Sequence, residues 1–524
     1  MNKLYIPVNI YILLSLLNFT SSQICSFSDT ILKNVTLSDT CTAFNNITIG
    51  NILSSDFIQF KMISNANVQM NGSVTCVNNG SIVQYDKSSL NLTQETNFYD
   101  ATKLELNNNS QLITINIIYF QQYSSVIMCE TAHWDSYNNI MMMGYSQLTI
   151  KDKSRLSLKN IIYFNDTVLV VMNQNAIINT SKDVYFNDFS MLTMNNNSMI
   201  NITNKLYVYS TLVMNSYSKI KECLFLYIMN DAQVMLYDNS EIIFKSYLNR
   251  YLYIYDKAQV MLYNYSAIDF ISGIKYFYIN NKTQVMLYNH SKIKFNFASG
   301  KIVIRNEAQT KLFNYSEINI DTHDGDIYVN DESRLMLYNY SKINIKSNNY
   351  GRLYIREISN LMLYHNSKIN INSSYVGELL VYNKAQVMLY DFSGINIDSN
   401  QNTGLLINDE AHMILYNYTE INICSLNSAI RVNKAYLSLN NLSKINSVGS
   451  FYVHKGGVIT LNGMADSVQI ITKSLQYVSC YQSCSNIDSF RYTSVLNGYQ
   501  RSSRCVLFRF NPIKYNQLNR TIRK

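Results

Sequence analysis

The sequence predicts an all-β protein, a single-stranded parallel β-helix (β-solenoid) of roughly 14–18 coils with about 20–26 residues in each. Three observations carry this prediction: a repeat of about 25 residues, short segments that alternate with period two, and the near absence of proline. Only 2 of the 524 residues are proline, and Pro7 and Pro512 lie near the ends. Because proline cannot donate a backbone hydrogen bond, a long stretch without it is typical of a continuous strand ladder.

The repeat is clearest where Gln233–Ser240 recurs as Gln259–Ser266 and again as Gln284–Ser291. All three copies share Gln-Val-Met-Leu-Tyr and end in serine. Later copies place Ser or Thr at the same position, at Ser316, Ser341, Ser367, Ser393, Thr419 and Ser443. Weaker copies precede them, with Ser154, Asn175, Ser198 and Ser218 there. Successive copies are 20–26 residues apart, which fits one coil of three short strands joined by Asn-, Ser-, Asp- and Gly-rich turns.

The repeat also indicates which side chains face the core. The positions of Val260 and Leu262 hold an aliphatic residue in almost every copy, which predicts that they point inward. The position of Met261, between them, accepts Lys311 in a later copy, which predicts that it points outward. In the second strand of a coil, the same alternation predicts an inward Ile343.

Four regions are predicted along the chain. Residues 1–22 have a short apolar stretch, Tyr11–Leu17, followed by small residues at Thr20–Ser22, which is typical of a secretory signal peptide. Residues 23–145 are predicted to form a divergent N-terminal cap with early coils. Residues 146–470 are predicted to form the solenoid repeats, strongest over 231–446, and residues 471–524 a cysteine-containing tail. No later stretch reaches 18 apolar residues, so we expect no transmembrane segment and a secreted or cell-surface location.

The coil length and the column pattern over roughly residues 50–470 resemble the right-handed parallel β-helix superfamily, known as pectin-lyase-like. The similarity is greatest to its non-enzymatic, secreted, adhesin-type members. This resemblance, and nothing in the residues themselves, implies the right-handed sense of the coil. Leucine-rich repeats have a similar period, but they need a helical or 3₁₀ return segment, whereas the units here show only strand patterns.

The enzymes of that superfamily use clustered carboxylates on adjacent coils, and this chain lacks their pattern. Asn319–Asp321 matches an Asn-x-Asp element loosely, but the sequence contains no Asp-Asp pair and no Gly-His-Gly. We therefore predict no catalytic residue and no cofactor. A polysaccharide-active enzyme of this fold, or its degenerate relative, is the alternative.

One acidic segment is a weak candidate for a calcium site. It contains Asp321, Asp324 and Asp326, and hard oxygen ligands that are close in sequence suit Ca²⁺. The competing interpretation is a solvated turn between two strands, since turns are rich in Asp and Gly.

Nine cysteines in a chain predicted to be secreted suggest disulfides, and the odd count leaves at least one thiol unpaired or intermolecular. Bridges between Cys25 and Cys41, and within the C-terminal trio, are plausible. The disulfide candidates are Cys25, Cys41, Cys76, Cys129, Cys480, Cys484 and Cys505. The Cys480–Cys484 segment could open a cysteine-rich module, which favours a further alternative, the ectodomain of a longer membrane protein.

A column of outward aromatic residues is the candidate binding site. The members are Tyr237, Tyr263, Tyr288, Phe313, Tyr338, Tyr364, Tyr390 and Tyr416. At ~4.8 Å per coil they would form a stripe about 34 Å long, which could meet a glycan or a surface protein. The competing interpretation is that like residues stack for the stability of the solenoid itself.

Four glycosylation sequons recur in register, at Asn264, Asn289, Asn314 and Asn339. Their side chains would lie ~5 Å apart, too close for a glycan on each, so they predict an amide ladder, with Asp238 and Asp391 in the same position. The net charge of +8 is spread along the chain without a run of like charges, so nucleic-acid binding is not expected. Together these features predict a secreted, non-enzymatic surface, adhesion or matrix protein with a rigid binding face.

Overall fold

The structure is a computed structural model that describes residues 59–462, apart from short gaps at 246–249, 272–273, 425–427 and 455. Beyond this range it describes only the backbone of short strands within 25–53, 469–477 and 508–509. The predicted signal peptide, residues 1–22, lies outside the described residues, as do Cys480, Cys484 and Cys505.

Strands and tight turns make up the described chain, which contains no helix and hence none that could cross a membrane. The chain forms two units, Met1–Asn160 and Ile161–Lys524, and each is a parallel β-solenoid. Together they contain about 15 turns of the solenoid, which confirms the predicted fold class. Each coil has a first strand, which pairs with the first strands of the neighbouring coils, and a second and third strand, which belong to a separate sheet.

In the unit Met1–Asn160 the coils from Gln59 to Gln147 repeat every 22 residues, as the starts of Gln59–Met62 and Ser81–Gln84 show. The first strands are Cys25–Phe27, Cys41–Ala43, Gln59–Met62, Ser81–Gln84, Lys103–Leu106, Ser125–Met128 and Gln147–Ile150. The second strands are Asn67–Met70, Ser89–Leu92, Gln111–Thr114, His133–Ser136 and Arg155–Leu158, and the third are Val74–Cys76, Thr96–Phe98, Ile118–Phe120 and Ile140–Met142. Two further strands of this sheet, Ile31–Thr36 and Ile47–Leu53, come before them.

In the unit Ile161–Lys524 most described coils are longer, 25 or 26 residues between Gln233 and His412. The first strands are Leu169–Met172, Met191–Met194, Thr211–Met214, Gln233–Leu236, Gln259–Leu262, Gln284–Leu287, Gln309–Leu312, Arg334–Leu337, Asn360–Leu363, Gln386–Leu389, His412–Leu415, Tyr436–Asn440, Val458–Asn462 and Phe508–Arg509. The second strands are Ile177–Thr180, Met199–Ile202, Lys219–Lys221, Glu241–Phe244, Ala267–Phe270, Lys368–Ser373, Gly394–Ser399, Glu420–Cys424, Lys444–Ser447 and Gln469–Ile471. The third strands are Ile162–Phe164, Val184–Phe186, Lys205–Val208, Phe225–Ile228, Arg250–Ile254, Ile274–Ile279, Val376–Val381, Asn402–Asn408, Ala429–Asn433, Ser450–Val453 and Ser474–Tyr477.

The core is built from the predicted inward columns. Val260 pairs in register with Val234 and Val285, and all three side chains are fully buried. Leu262 and Ile343 are also fully buried, as the alternation predicted. Because side chains alternate between faces along a strand, each column of buried aliphatic residues leaves a column of outward residues beside it.

The turn after each first strand has the same backbone conformation in most coils of the larger unit. In Tyr263–Ser266 the two central residues, Asn264 and Tyr265, have φ angles of 49° and 65°. The Ser266 amide donates to the Tyr263 carbonyl oxygen at 3.2 Å, and the serine side chain is buried. Two consecutive left-handed residues turn the chain sharply from the first strand into the second, as in the tight turns that prefer Asn.

Three coils depart from the predicted pattern of three short strands. Lys292–Ile304, Glu317–Val329 and Lys342–Ile355 are each a single strand of 13 or 14 residues, in which the second and third strands merge. Gly325 lies at the bend, where a β-carbon would come within 2.9 Å of the Ile320 Cγ2 atom. In-register glycines in the neighbouring coils, Gly300 and Gly351, allow the same close approach, and the strand ladder of these three coils runs through this point.

Candidate functional site

The predicted column of eight aromatic residues from Tyr237 to Tyr416 forms one continuous stack, here called the inner tyrosine ladder. Successive rings lie 4.8–4.9 Å apart and within 6° of parallel. The rings are half-buried, and methionines on the same face of the strand contact their hydroxyl groups: the Tyr263 hydroxyl, for example, donates to the Met261 sulfur at 3.4 Å. Burial raises the pKa of Tyr263, Tyr288 and Tyr338.

This stacking decides what the inner tyrosine ladder can contact. Each ring between the two ends has both faces covered by its neighbours, so only ring edges and hydroxyl groups reach solvent. A sugar that packs on an aromatic face would find no free face along the ladder. The binding role predicted for these residues remains a prediction.

A second aromatic column lies beside the inner ladder and is more exposed. It occupies the second left-handed position of the turn, and we call it the turn aromatics: Tyr217, Tyr265, His290, Tyr315, Tyr340, Phe392 and Tyr418. Tyr265 is 59% exposed and Phe392 is 55% exposed. Rings in adjacent coils stack at 4.8–5.1 Å. The sequence repeat shows this column, but the prediction assigned binding to its half-buried neighbour.

The predicted amide ladder is confirmed at the first left-handed position of the same turns. The Asn264 amide nitrogen donates to Asp238 at 3.0 Å, and Asn289 donates to Asn264 at 3.2 Å. Asn314 and Asn339 continue the ladder at 3.1 and 3.0 Å. His365 interrupts it, and Asp391 and Asn417 start a second segment at 3.1 Å. The amide ladder therefore lies next to the turn aromatics on one exposed corner.

A third aromatic surface, which the sequence analysis missed, covers the outward face of the third strands. Its main column is Tyr163, Tyr185, Tyr207, Tyr227, Tyr253 and Tyr278, stacked at 4.5–5.1 Å. A parallel column contains Phe225, Tyr251 and Tyr276. Burial raises the pKa of Tyr253, and for Tyr185 the nearby Asp183 carboxylate adds to the effect of burial. The signal was the Tyr-x-Tyr alternation at 207–209 and 251–255.

Further along the column of Tyr276 the residues change from aromatic to charged. Lys301, Asp326, Arg352 and Glu378 follow one another in register with alternating sign. Asp326 is buried, and it accepts from Arg352 Nε at 3.1 Å and from the Tyr328 hydroxyl at 3.1 Å. Arg352 therefore separates the carboxylates of Asp326 and Glu378, which belong to coils two steps apart.

The three carboxylates of the weak calcium candidate do not converge. Asp321 accepts from Lys346 at 3.2 Å, Asp324 accepts from Asn349 at 3.0 Å, and Asp326 is paired with Arg352. The segment is part of the strand Glu317–Val329 and not the turn that the competing interpretation assumed. Among the described residues, no group of three or more His, Cys, Asp or Glu side chains could hold a metal ion.

Two of the disulfide candidates are free thiols. Cys76 is buried in the core and Cys129 is half-buried, and neither is bridged, in contrast to the prediction. Burial raises the pKa of the Cys76 thiol to about 12, so it behaves as an inert core residue. The backbone of Cys25 pairs in register with that of Cys41, and the bridge between them remains a prediction.

Compared with protein families, with curated proteins and with solved structures, the chain shows no significant match. The resemblance to the pectin-lyase-like superfamily thus rests on coil length and column pattern, and what the structure establishes is the parallel β-solenoid fold.

Proposed function

We propose that this chain is a secreted, non-enzymatic β-solenoid that acts as a surface, adhesion or matrix protein. It would do so by presenting a long, rigid face to an extended glycan or protein partner. The face we assign to this role is the exposed corner that carries the turn aromatics and the amide ladder.

The observation that carries the proposal is the backbone conformation of the turn aromatics. Tyr265, Tyr315 and Tyr340 have φ angles of 62–65°, a region that costs a non-glycine residue roughly 1–2 kcal/mol. Asn239 and Asn366 occupy the same position in other coils, so the turn closes without an aromatic ring. Stacking between neighbouring rings stabilises the fold by about 0.5–1.5 kcal/mol for each pair. Folding alone thus gives little reason for exposed rings there, whereas binding does.

The geometry of the corner also indicates the kind of partner. Ring edges, hydroxyl groups and amides recur along it at intervals of about 5 Å, set by the spacing of strands in a sheet. Such an array suits a partner that is itself extended and can form many similar contacts along one direction, because each contact adds to the same rigid surface.

The test is binding of the full chain to a glycan array and to a panel of matrix proteins. A Tyr265→Asn, Tyr315→Asn double variant should bind at least about tenfold more weakly, since it removes two exposed rings. It should change the free energy of unfolding by less than about 1 kcal/mol, because the lost stacking and the relieved backbone strain nearly cancel.

The matched control is Tyr263→Phe in the inner tyrosine ladder, which removes only the hydroxyl group that contacts Met261. It should leave binding unchanged. If the wild-type chain binds nothing on either panel, or if the double variant binds as well as the wild type, the proposed function is wrong.

A further inference from the structure

The coil that contains residues 364–367 differs from its neighbours at the exposed corner. Asn366 stands where the adjacent coils have Tyr340 and Phe392, so the column of turn aromatics has a gap. Tyr340 is stacked on Tyr315 at 5.1 Å, and Phe392 is stacked on Tyr418 at 4.8 Å. Each therefore has one covered face and one face turned toward Asn366.

The width of the gap matches one additional ring. Tyr340 and Phe392 are separated by two coil steps, or about 9.6 Å. A ring placed midway would lie about 4.8 Å from each, within the normal range for stacked rings. Two aromatic faces are therefore available to a ligand from opposite sides at this gap.

A groove opens beside this gap. Its volume is about 400 Å³, and its lining residues are Tyr340, Lys342, Asn366, Lys368, Asn370 and Asn396. Lys368 pairs in register with Gly394, which has no side chain and leaves the groove open in that direction. The groove thus combines one aromatic face with amides and two amino groups.

Both lysines of the groove are available to an anion. Lys342 and Lys368 are neighbours in register, and within the described part of the chain neither forms an ion pair within 4.0 Å. Glu317, the residue in register with Lys342 on the other side, instead pairs with Lys292 at 3.1 Å. Two adjacent ammonium groups without a paired carboxylate favour an anionic ligand.

A second gap in the same column provides a comparison within the molecule. Asn239 lies between Tyr217 and Tyr265, so it also leaves space for a ring. Beside it, however, Lys219 is paired with Glu241 at 2.9 Å, and the next residue in register is Ala267. The two gaps therefore share their shape but differ in charge.

We propose that the groove at Asn366 binds one ring of an anionic saccharide. The ring inserts between Tyr340 and Phe392, and its sulfate or carboxylate group contacts Lys342 and Lys368. The Asn366 amide hydrogen-bonds to the ring hydroxyl groups. This inference rests on the proposed function and names the ligand class for one position on that face.

The experiment is calorimetric titration of the full chain with a heparin-derived hexasaccharide, which carries both sulfate and carboxylate groups. Asn366→Tyr fills the gap with the commonest residue at this position in the neighbouring coils, so it should fold normally and weaken binding at least about tenfold. Asn239→Tyr fills the other gap and should change the affinity less than about twofold. Lys368→Gln should also weaken binding severalfold and reduce its salt dependence.

Desulfated and carboxyl-reduced hexasaccharides identify the anion, and loss of affinity with either one supports the proposal. No binding of the hexasaccharide, equal effects of Asn366→Tyr and Asn239→Tyr, or full affinity without both anionic groups would overturn it. If these results occur while the chain still binds a partner through Tyr265 and Tyr315, the proposed function stands and only this site is wrong.

Discussion

At the scale of single residues, the turn after each first strand explains both what repeats and what varies. Its first central position is left-handed, and Asn tolerates that conformation better than most residues, so Asn264 and its counterparts were predictable there. The second position is also left-handed, yet it holds Tyr265 or Phe392. No propensity predicts an aromatic residue there, so the sequence analysis considered only the neighbouring column, the inner tyrosine ladder, as a binding surface.

The amide ladder leads to a prediction about glycosylation. The acceptor atom of a sequon is the asparagine amide nitrogen, and in Asn289, Asn314 and Asn339 it already donates to the preceding coil at 3.0–3.2 Å. We therefore expect few or none of Asn264, Asn289, Asn314 and Asn339 to carry a glycan. Glycopeptide mass spectrometry of the protein from a glycosylating host measures the occupancy. Modification of all four would show that the ladder does not form in the glycosylated chain.

At the scale of elements, the merged strands show that sequence periodicity predicts strand segments but not how they are connected. Alternation predicted the second-strand and third-strand segments correctly, but it does not say whether a turn or a bend joins them. Gly300, Gly325 and Gly351 permit the bend because a β-carbon at each would lie 3.4 Å or less from side chains of its own coil and of the next coil. That approach depends on the neighbouring coil, so it could not be recognised from one repeat alone.

The ion pair between two of these long strands gives a prediction for stability. Asp326→Asn should lower the free energy of unfolding by roughly 2–3 kcal/mol, because it leaves the Arg352 guanidinium without its charged partner in a half-buried site. Asp324→Asn, two residues away and more exposed, is the control and should cost less than about 0.5 kcal/mol. Urea denaturation followed by circular dichroism measures both. Equal effects would mean that the ion pair contributes nothing beyond surface charge.

At the scale of the whole molecule, the stacked tyrosines are expected to make the folded protein lose stability at alkaline pH. Burial is the main cause that raises the pKa of Tyr185, Tyr253 and Tyr328 above the usual value near 10, so the folded protein keeps protons that the unfolded chain releases. Stability is then complete below about pH 10 and is lost as the pH rises toward the folded-state pKa values. The loss should be cooperative, because these rings support one another across coils.

We therefore expect tyrosine ionisation, measured by absorbance at 295 nm, to coincide with loss of the β-sheet signal above about pH 10. Tyr253→Phe should shift that transition to higher pH, since one group that gains a charge on unfolding is removed. At neutral pH its stability should differ little from that of the wild type. A gradual ionisation near pH 10 with the fold intact would contradict this account.

The sequence by itself determined the fold class, the inward columns and the amide ladder. Each depends on alternation along a strand and on identity between successive coils, which one chain displays directly. Tertiary structure alone decided which outward residues are exposed, because exposure depends on the side chains in the flanking columns. The inner tyrosine ladder is covered in part by its methionines, whereas Tyr265 and Tyr340 are exposed at the corner. Only the stacked coils, likewise, bring Tyr340, Lys368 and Phe392 around Asn366.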